Sequence, residues 1–435
     1  ALTDPLRFTA TSTPNCLASG SSNATYQFGG IAGGTPSSSN HYSAWADKNG
    51  VGYWYSSANP RQTQAIGSYD QGNLTAGTYT VNLRDNTGCL VTKTLDIVDQ
   101  AGDMYYVSTS GSNSNNGTAE NAAFGSIEYA LSKVCGQDTI ILLDGTYFED
   151  SLDIEQEVII ASKFFLDADT SHIAATVIDG SASAYIMLWN ASSSSNSWAD
   201  TTNNQIIGLT FSNGSAPSDK GGALTIGQGR VPLKVSNVRL VNNTSSQYGG
   251  GILASHSSKI TISNTLFKGN SSQQGGGFFQ NSSGELFMNN VEFNNNSSIS
   301  ENSALFVNRV DKFISKNVYV HHHTGSQIIE VATQGSSDIM SGWRIVNNSS
   351  TGNLMKIRNE DAGDKLLIVN ALVTDNIAND SPGLRLREFY GTISIVNSTI
   401  ANNISTSQST YQQGAALQIS YSYNDPTVNV LNSII

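Results

Sequence analysis

Residues 261–296 read TISNTLFKGNSSQQGGGFFQNSSGELFMNNVEFNNN, and the same short pattern occurs in them twice. Asn264, Phe267 and Asn270 stand three apart, and Asn290, Phe293 and Asn296 repeat that spacing 26 residues later. Followed in both directions, the apolar anchor recurs at Phe211, Leu240, Phe267, Phe293, Val320, Ile345, Val373 and Ile400, with gaps of 29, 27, 26, 27, 25, 28 and 27 residues, and again at Ile435. Asn usually stands three residues before the anchor (Asn237, Asn264, Asn290, Asn317, Asn370, Asn397, Asn432). It usually stands three residues after it as well (Asn243, Asn270, Asn296, Asn348, Asn376, Asn403), with Gly214 and His323 in the two coils that depart. A fixed period of this length is the mark of a stacked repeat.

The pattern has a physical reading. A parallel β-helix coil is a set of short strands joined by turns, with alternate side chains directed into a narrow core. Asn tolerates the left-handed turn conformation. Coils stack at ~4.8 Å, so equivalent Asn side chains can bond to one another as a ladder. A leucine-rich repeat has a similar period but needs LxxLxLxxN, which no coil here carries. Small residues precede an apolar residue at Gly221-Gly222-Ala223-Leu224, Gly249-Gly250-Gly251-Ile252, Gly275-Gly276-Gly277-Phe278, Ser303-Ala304-Leu305 and Gly414-Ala415-Ala416-Leu417. Glycine there permits close approach of one coil to the next. These paired markers resemble the GGA[ILV] and FxxN repeats of polymorphic outer-membrane proteins, and are similar to those of pectate-lyase-like β-helices.

Upstream, Met104–Ser108 reads as a strand and Phe124–Val134 as an amphipathic helix capped by Ser126, with Ile127, Ala130, Leu131 and Val134 on one face. Asp138–Leu143 opens the first coil. The expected fold is all-β: a right-handed parallel β-helix over 103–435, with a cap at 103–137 whose helix covers an otherwise unpaired edge, and roughly eleven coils over 138–435. Cys135 ends the helix and reads as a small, partly buried thiol.

Residues 1–102 differ in texture. The runs Leu6–Thr11, Ala24–Phe28, Gly52–Tyr55, Thr78–Leu83 and Leu90–Ile97 are separated by Gly, Pro, Ser and Asn, which predicts a small Ig-like β-sandwich. Cys16 and Cys89 stand at opposite ends of this domain, and a bridge between them is expected. The segments Gly33-Gly34-Thr35-Pro36, Leu74–Val81 and Asp85-Asn86-Thr87-Gly88-Cys89 resemble the repeat of giant gliding-motility adhesins (SprB type), although Ser37–Tyr42 lengthens one loop. That resemblance implies the surface of a gliding bacterium, type IX secretion and tandem domains acting as a stalk.

Composition narrows function. The 435 residues carry 22 Lys+Arg against 34 Asp+Glu, a net charge of −12, so a nucleic-acid partner is not expected. No apolar run is long enough for a transmembrane helix. Sequons such as Asn23-Ala24-Thr25 and Asn270-Ser271-Ser272 are numerous because Asn and Ser are. Catalysis on a β-helix would need a Lys or Arg base beside an acidic calcium site, or carboxylates paired on adjacent coils. Neither an adjacent Asp-Asp pair, an Asp-Pro-His nor an RxPxxR motif is present.

Three other clusters carry side chains capable of chemistry. Glu149, Asp150, Asp153, Glu155 and Glu157 offer oxygen ligands of the kind Ca²⁺ takes, but alternation along the strand makes them a solvated face first. Lys356, Arg358, Glu360, Asp361, Asp364 and Lys365 read as a self-paired exposed loop around Gly363. In His321-His322-His323 successive side chains point in different directions, which suits no single metal ion, and His323 takes the ladder slot. No other cofactor is expected.

Residues flanking the anchors point outward. Arg239, Lys268, Glu292, Tyr319, His321 and Arg344 therefore share an outer face fit for a glycan. The expected function is a non-catalytic, extracellular cell-surface adhesin or stalk segment that binds surface polysaccharide or neighbouring surface proteins. The alternative is a polysaccharide lyase or another carbohydrate-active β-helix enzyme. Both ends stop inside a pattern, which leads to the expectation of a longer secreted protein, with the β-helix incomplete at its C-terminal end and further domains upstream and downstream.

Overall fold

The computed structural model describes residues 5–12, 24–35, 41–48, 51–53, 62–65, 69–74, 77–97, 102–135, 137–190, 204–217, 219–227, 232–255, 258–335, 337–359, 363–407, 416–420 and 427–435. The chain divides into two compact units, Ala1–Gly102 and Asp103–Ile435.

The first unit is built of antiparallel strands in two sheets. Arg7–Ser12 pairs with Ala24–Ala32, which pairs with Tyr69–Leu74. In the other sheet His41–Lys48 pairs with Gly77–Arg84, which pairs with Leu90–Ile97. Leu6, Phe8, Ala44, Ala46, Tyr79, Val81, Leu83 and Ile97 form its core. The Asp85–Cys89 turn is closed by one carboxylate. Asp85 accepts from the backbone N–H groups of Thr35, Thr87 and Cys89 and from the Thr87 hydroxyl. That geometry leaves Cys89 an exposed free thiol, so the expected Cys16–Cys89 bridge is not formed; Cys16 lies outside the described residues. Cys135, read from sequence as a thiol, is disulfide-bonded.

The second unit is a parallel β-solenoid with few helices. Three stacks of strands run its length, and each strand pairs in parallel with its counterpart one coil on. Met104–Val107, Asp138–Leu142 and Val158–Ser162 begin the first stack, Gly145–Tyr147 and Thr176–Asp179 the second, and Leu152–Ile154 and Met187–Trp189 the third. The second stack aligns Tyr147, Ile178, Phe211, Leu240, Phe267, Phe293, Val320, Ile345, Val373 and Ile400 in one column of ten rungs, nine turns of the solenoid, and a bridge between Thr399 and Ile434 carries it further. The early coils are long because they carry inserted segments, among them the short helices Phe164–Asp167 and Ser171–Ala175. The eight anchors from Phe211 to Ile400 are at most 1% exposed. No helix among the described residues is long and apolar enough to cross a membrane.

The two Asn series have separate tasks. Asn237, Asn264, Asn290, Asn317, Asn370, Asn397 and Asn432 have φ between 47° and 57°, which lets the chain bend between the first and second stacks. Gly208 and Gly342 take the same place with φ of 70° and 65°. The Asn residues after the anchor are the ladder. Asn243 donates its side-chain N–H to Oδ1 of Asn270 at 3.0 Å, Asn270 to Asn296 at 2.9 Å, Asn348 to Asn376 at 3.0 Å and Asn376 to Asn403 at 2.9 Å. Each of these side chains also donates to a backbone carbonyl of the preceding anchor, such as Phe211 or Leu240. The left-handed residue of this second corner is its neighbour, Asn242, Asn295, Asn347 or Asn402. At Gly250 and Gly276 an added Cβ would stand 2.4 and 2.2 Å from backbone oxygens of the next coil, so glycine is required there.

Polar side chains also enter the inward columns of the first stack, Asp338 next to Leu366 and Ser315 among them. Ser315 lies between Met288 and Met340, and accepts from the indole N–H of buried Trp343 at 2.9 Å. The helix expected over 124–134 is observed only at Ile127–Leu131. Ser126 accepts from the Tyr129 N–H, and Glu149 accepts from the N–H groups of Ile127 and Glu128 at 2.8 and 2.9 Å.

Candidate functional site

Two outward columns flank the anchors. One runs Arg239, Leu266, Glu292, Tyr319, Arg344, and the other runs Val241, Lys268, Asn294, His321, Val346. The six residues singled out from sequence divide between them, four in the first column and two in the second.

The structure brings four of the six into contact. The Tyr319 and His321 rings stack at 4.0 Å with 16° between planes. The Arg344 guanidinium lies 5.0 Å from the centre of the Tyr319 ring. His321 Nε2 is 3.0 Å from Glu292 Oε1, and its Nδ1 meets Nδ1 of His322. Lys268 stands one coil before Glu292, beside Asn294, and Arg239 two coils before it, beside Leu266. His321 faces outward yet is only 6% exposed, because its neighbours cover it; it holds Tyr319 and Glu292 in place. Glu292, Tyr319 and Arg344 open into a groove of about 490 Å³, whose floor is Leu266 and Val291 and whose side is the turn column Asn264, Asn290 and Asn317.

The groove offers one carboxylate, one guanidinium, a phenol and several amides. Hydrolysis by the two-carboxylate route needs a second carboxylate across the bond, and Glu292 is the only acidic side chain among the described residues lining the groove. The arrangement suits recognition of hydroxyl-rich or carboxylated ligands by charge-assisted bonds.

Other residues marked from sequence are dispersed. Glu149 is committed to the helix, and burial pushes its carboxyl above the usual range against the two bonds it accepts. Asp150 accepts from Ser183, and Asp153 accepts from the Tyr185 hydroxyl. Among the described residues no group of three His, Cys, Asp or Glu side chains converges to hold a metal.

Lys356 and Arg358 are not in a loop. They lie on the strand Ser349–Asn359 and grip Glu330 of the preceding coil: Lys356 Nζ is 2.9 Å and Arg358 Nε 3.0 Å from Glu330 Oε1. Gln327 donates to the other oxygen at 3.0 Å. Glu360 and Asp361 lie outside the described residues.

Sequence reasoning missed the outward column of the third stack, Leu253, Phe279, Phe306, Glu330, Lys356, Arg385. Its first three side chains are 5–8% exposed and pack under Tyr248. Leu253 and Phe279, with Lys220 and Asp219, line a second groove of about 760 Å³. The available signal was a break in alternation, the apolar doublets Ile252-Leu253, Phe278-Phe279 and Leu305-Phe306.

No family model matches the sequence, so the resemblance of the first hundred residues to gliding-adhesin repeats has no independent support. No curated protein matches it either. Among solved structures the chain is similar to a Yersinia enterocolitica family 28 exopolygalacturonase, at 10% identity over 99% of this chain and 98% of that one, with a TM-score of 0.28. It is similar to XylC, solved in complex with xylose, at 7% identity over 76% and 86% of the two chains, TM-score 0.35. It is similar also to pectate lyase Pel9A, at 13% identity over 77% and 79%, TM-score 0.28. Scores this low carry no argument about what the chain does.

Proposed function

We propose that the solenoid is a non-catalytic, extracellular surface segment that binds a glycan in the groove over Glu292, Tyr319 and Arg344. The observation that carries this reading is their register: three consecutive coils place these side chains at one outward position, and the groove opens along that column. With coils ~4.8 Å apart, successive rungs meet successive sugars of an extended chain. Arg344 and Glu292 then bond hydroxyl or carboxylate groups, and Tyr319 supplies apolar contact. The adhesin-like context rests on the sequence resemblance alone.

Replacing Arg344 by Ala is expected to weaken glycan binding about 10- to 100-fold, the worth of one charge-assisted hydrogen bond. The melting temperature is expected to stay unchanged, since Arg344 is exposed. Affinity electrophoresis against a panel of neutral and acidic polysaccharides checks both. A wild-type protein that binds none of them, or a variant that binds equally, would end the reading.

A second reading, polysaccharide lyase, draws on the third stack, where Lys356, Arg358 and Glu330 meet. Release of unsaturated uronates, abolished by Arg385→Ala, would establish it in place of the first.

A further inference from the structure

The ladder contains one rung that is not an amide. His323 occupies the slot between Asn296 and Asn348 and is 0% exposed. Its Nδ1 is 3.2 Å from Asn348 Oδ1, and its Nε2 is 3.1 Å from the side-chain nitrogen of Asn296. The amide oxygen of Asn348 can only accept, and the amide nitrogen of Asn296 can only donate. The ring must therefore be neutral, with its proton on Nδ1 and a lone pair on Nε2. Asn348 Oδ1 also accepts from the His323 backbone N–H at 3.0 Å, which fixes the ring's position from the main chain.

A second proton has nowhere to go. On Nε2 it would face the N–H of Asn296, donor against donor, and would place a charge in the closed interior. Burial pushes the His323 pKa down from 6.5 to about 3. The titratable groups facing it are His321 and His322 of its own coil, which oppose its charging. The preceding coil contributes Glu292, which is bonded to His321, and the following coil contributes Arg344 over Tyr319. The ladder neighbours above and below, Asn296 and Asn348, do not titrate.

We propose that His323 is an acid-sensitive rung that regulates the glycan groove, loosening the coil that carries Tyr319 and His321 when it takes up a proton. This rests on the glycan reading for its consequence but not for its cause. A solenoid coil contacts only its neighbours, so it can open without the rest of the chain unfolding. In the opened coil the imidazole titrates near 6.5, and in the closed coil near 3. Between those values the opened form binds a proton that the closed form does not, so opening grows as pH falls, about tenfold per unit. Below the lower value the effect is complete. The groove is hit directly, because His321, two residues away, holds both Tyr319 and Glu292.

The test is hydrogen exchange on the whole chain at about pH 7 and about pH 4.5, where the linkage gives roughly a 100-fold change in opening. Amide protection at residues 295–298 and 321–325 is expected to fall by that factor in the wild type. In His323→Asn, which restores an amide rung while keeping His321 and His322, it is expected to stay nearly constant. An equal fall in both proteins, or none in the wild type, overturns the proposal. Histidine-labelled NMR gives a reading that needs no variant. A neutral Nδ1–H tautomer at His323 at about pH 5 supports the rung, and an imidazolium there overturns it. Binding is read at both pH values on the same polysaccharide panel. Affinity that falls with protection supports the coupling, and affinity that stays constant while protection falls overturns it. No binding at either pH, with protection falling in the wild type alone, overturns the glycan reading and leaves the rung established.

Discussion

Phe293→Asp will abolish folding of the central coils. Phe293 is fully buried and stacks on Phe267 with ring centres 4.6 Å apart and 14° between planes, while Val320 pairs with it on the other side. Removing such a ring costs about 3–5 kcal/mol through lost transfer energy and the cavity left behind. The carboxylate that replaces it finds no partner in a column of Leu, Phe, Val and Ile, and burying it unpaired adds several kcal/mol more. The sum approaches the whole stability of an ordinary domain, about 5–15 kcal/mol. Coils depend on their neighbours, so the damage spreads from residue 293 in both directions. Circular dichroism on thermal melting checks this. A variant that melts within a few degrees of the parent would mean that the column does not carry the fold.

Glu330→Ala will cost about 3–5 kcal/mol, the usual consequence of removing one partner from a buried ion cluster. Glu330 is 2% exposed, and its carboxylate receives Lys356, Arg358 and Gln327. Without it the two cations are left side by side on one strand, Lys356 with its close carboxylate gone and Arg358 with Asn308 and the more distant Glu388. The neighbours in the column indicate how to recover the loss. Phe306 occupies the same position one coil earlier. A triple variant with apolar residues at 330, 356 and 358 is therefore expected to be as stable as the parent or more so. Urea unfolding of the single and triple variants measures the difference. A single variant within about 1 kcal/mol of wild type would show that the cluster behaves as a surface pair.

The interior was legible in the sequence because every coil must solve the same problem. Each needs an apolar side chain such as Phe267 or Phe293 and an Asn or Gly that bends left as at 264 or 290, and most close the ladder with an amide as at 270 or 296. Spacing located all three, although it did not separate the bending Asn from the bonding one, since both appear as Asn three residues from an anchor. The outer faces carry no such constraint. Nothing in the repeat requires Glu292, Tyr319 and Arg344 to succeed one another, so their contact was visible only as a shared direction. Lys356 and Arg358 were misplaced for a related reason. Their partner Glu330 lies one coil away, and the nearer acids Glu360 and Asp361 suggested a local pairing. Cys89 was misread because distance along the chain said nothing about which way the Asp85 turn would direct it.

The ladder also bears on where this protein can be made. Asn243-Thr244-Ser245, Asn270-Ser271-Ser272, Asn296-Ser297-Ser298 and Asn348-Ser349-Ser350 are all acceptor sequences for N-linked sugar. They arise because a ladder Asn is followed, two residues on, by a small hydroxyl residue turned toward the solenoid. In the closed coil these four amides are at most 2% exposed and both hydrogens are engaged, so no transferase can reach them. A nascent chain offers no such shelter. In a secretory pathway that glycosylates during translocation, a sugar attached at any of these positions would block the rung before its coil closes. The architecture is thus compatible with cells that leave Asn-x-Ser untouched, and yeast or mammalian expression would require those serines to be replaced first.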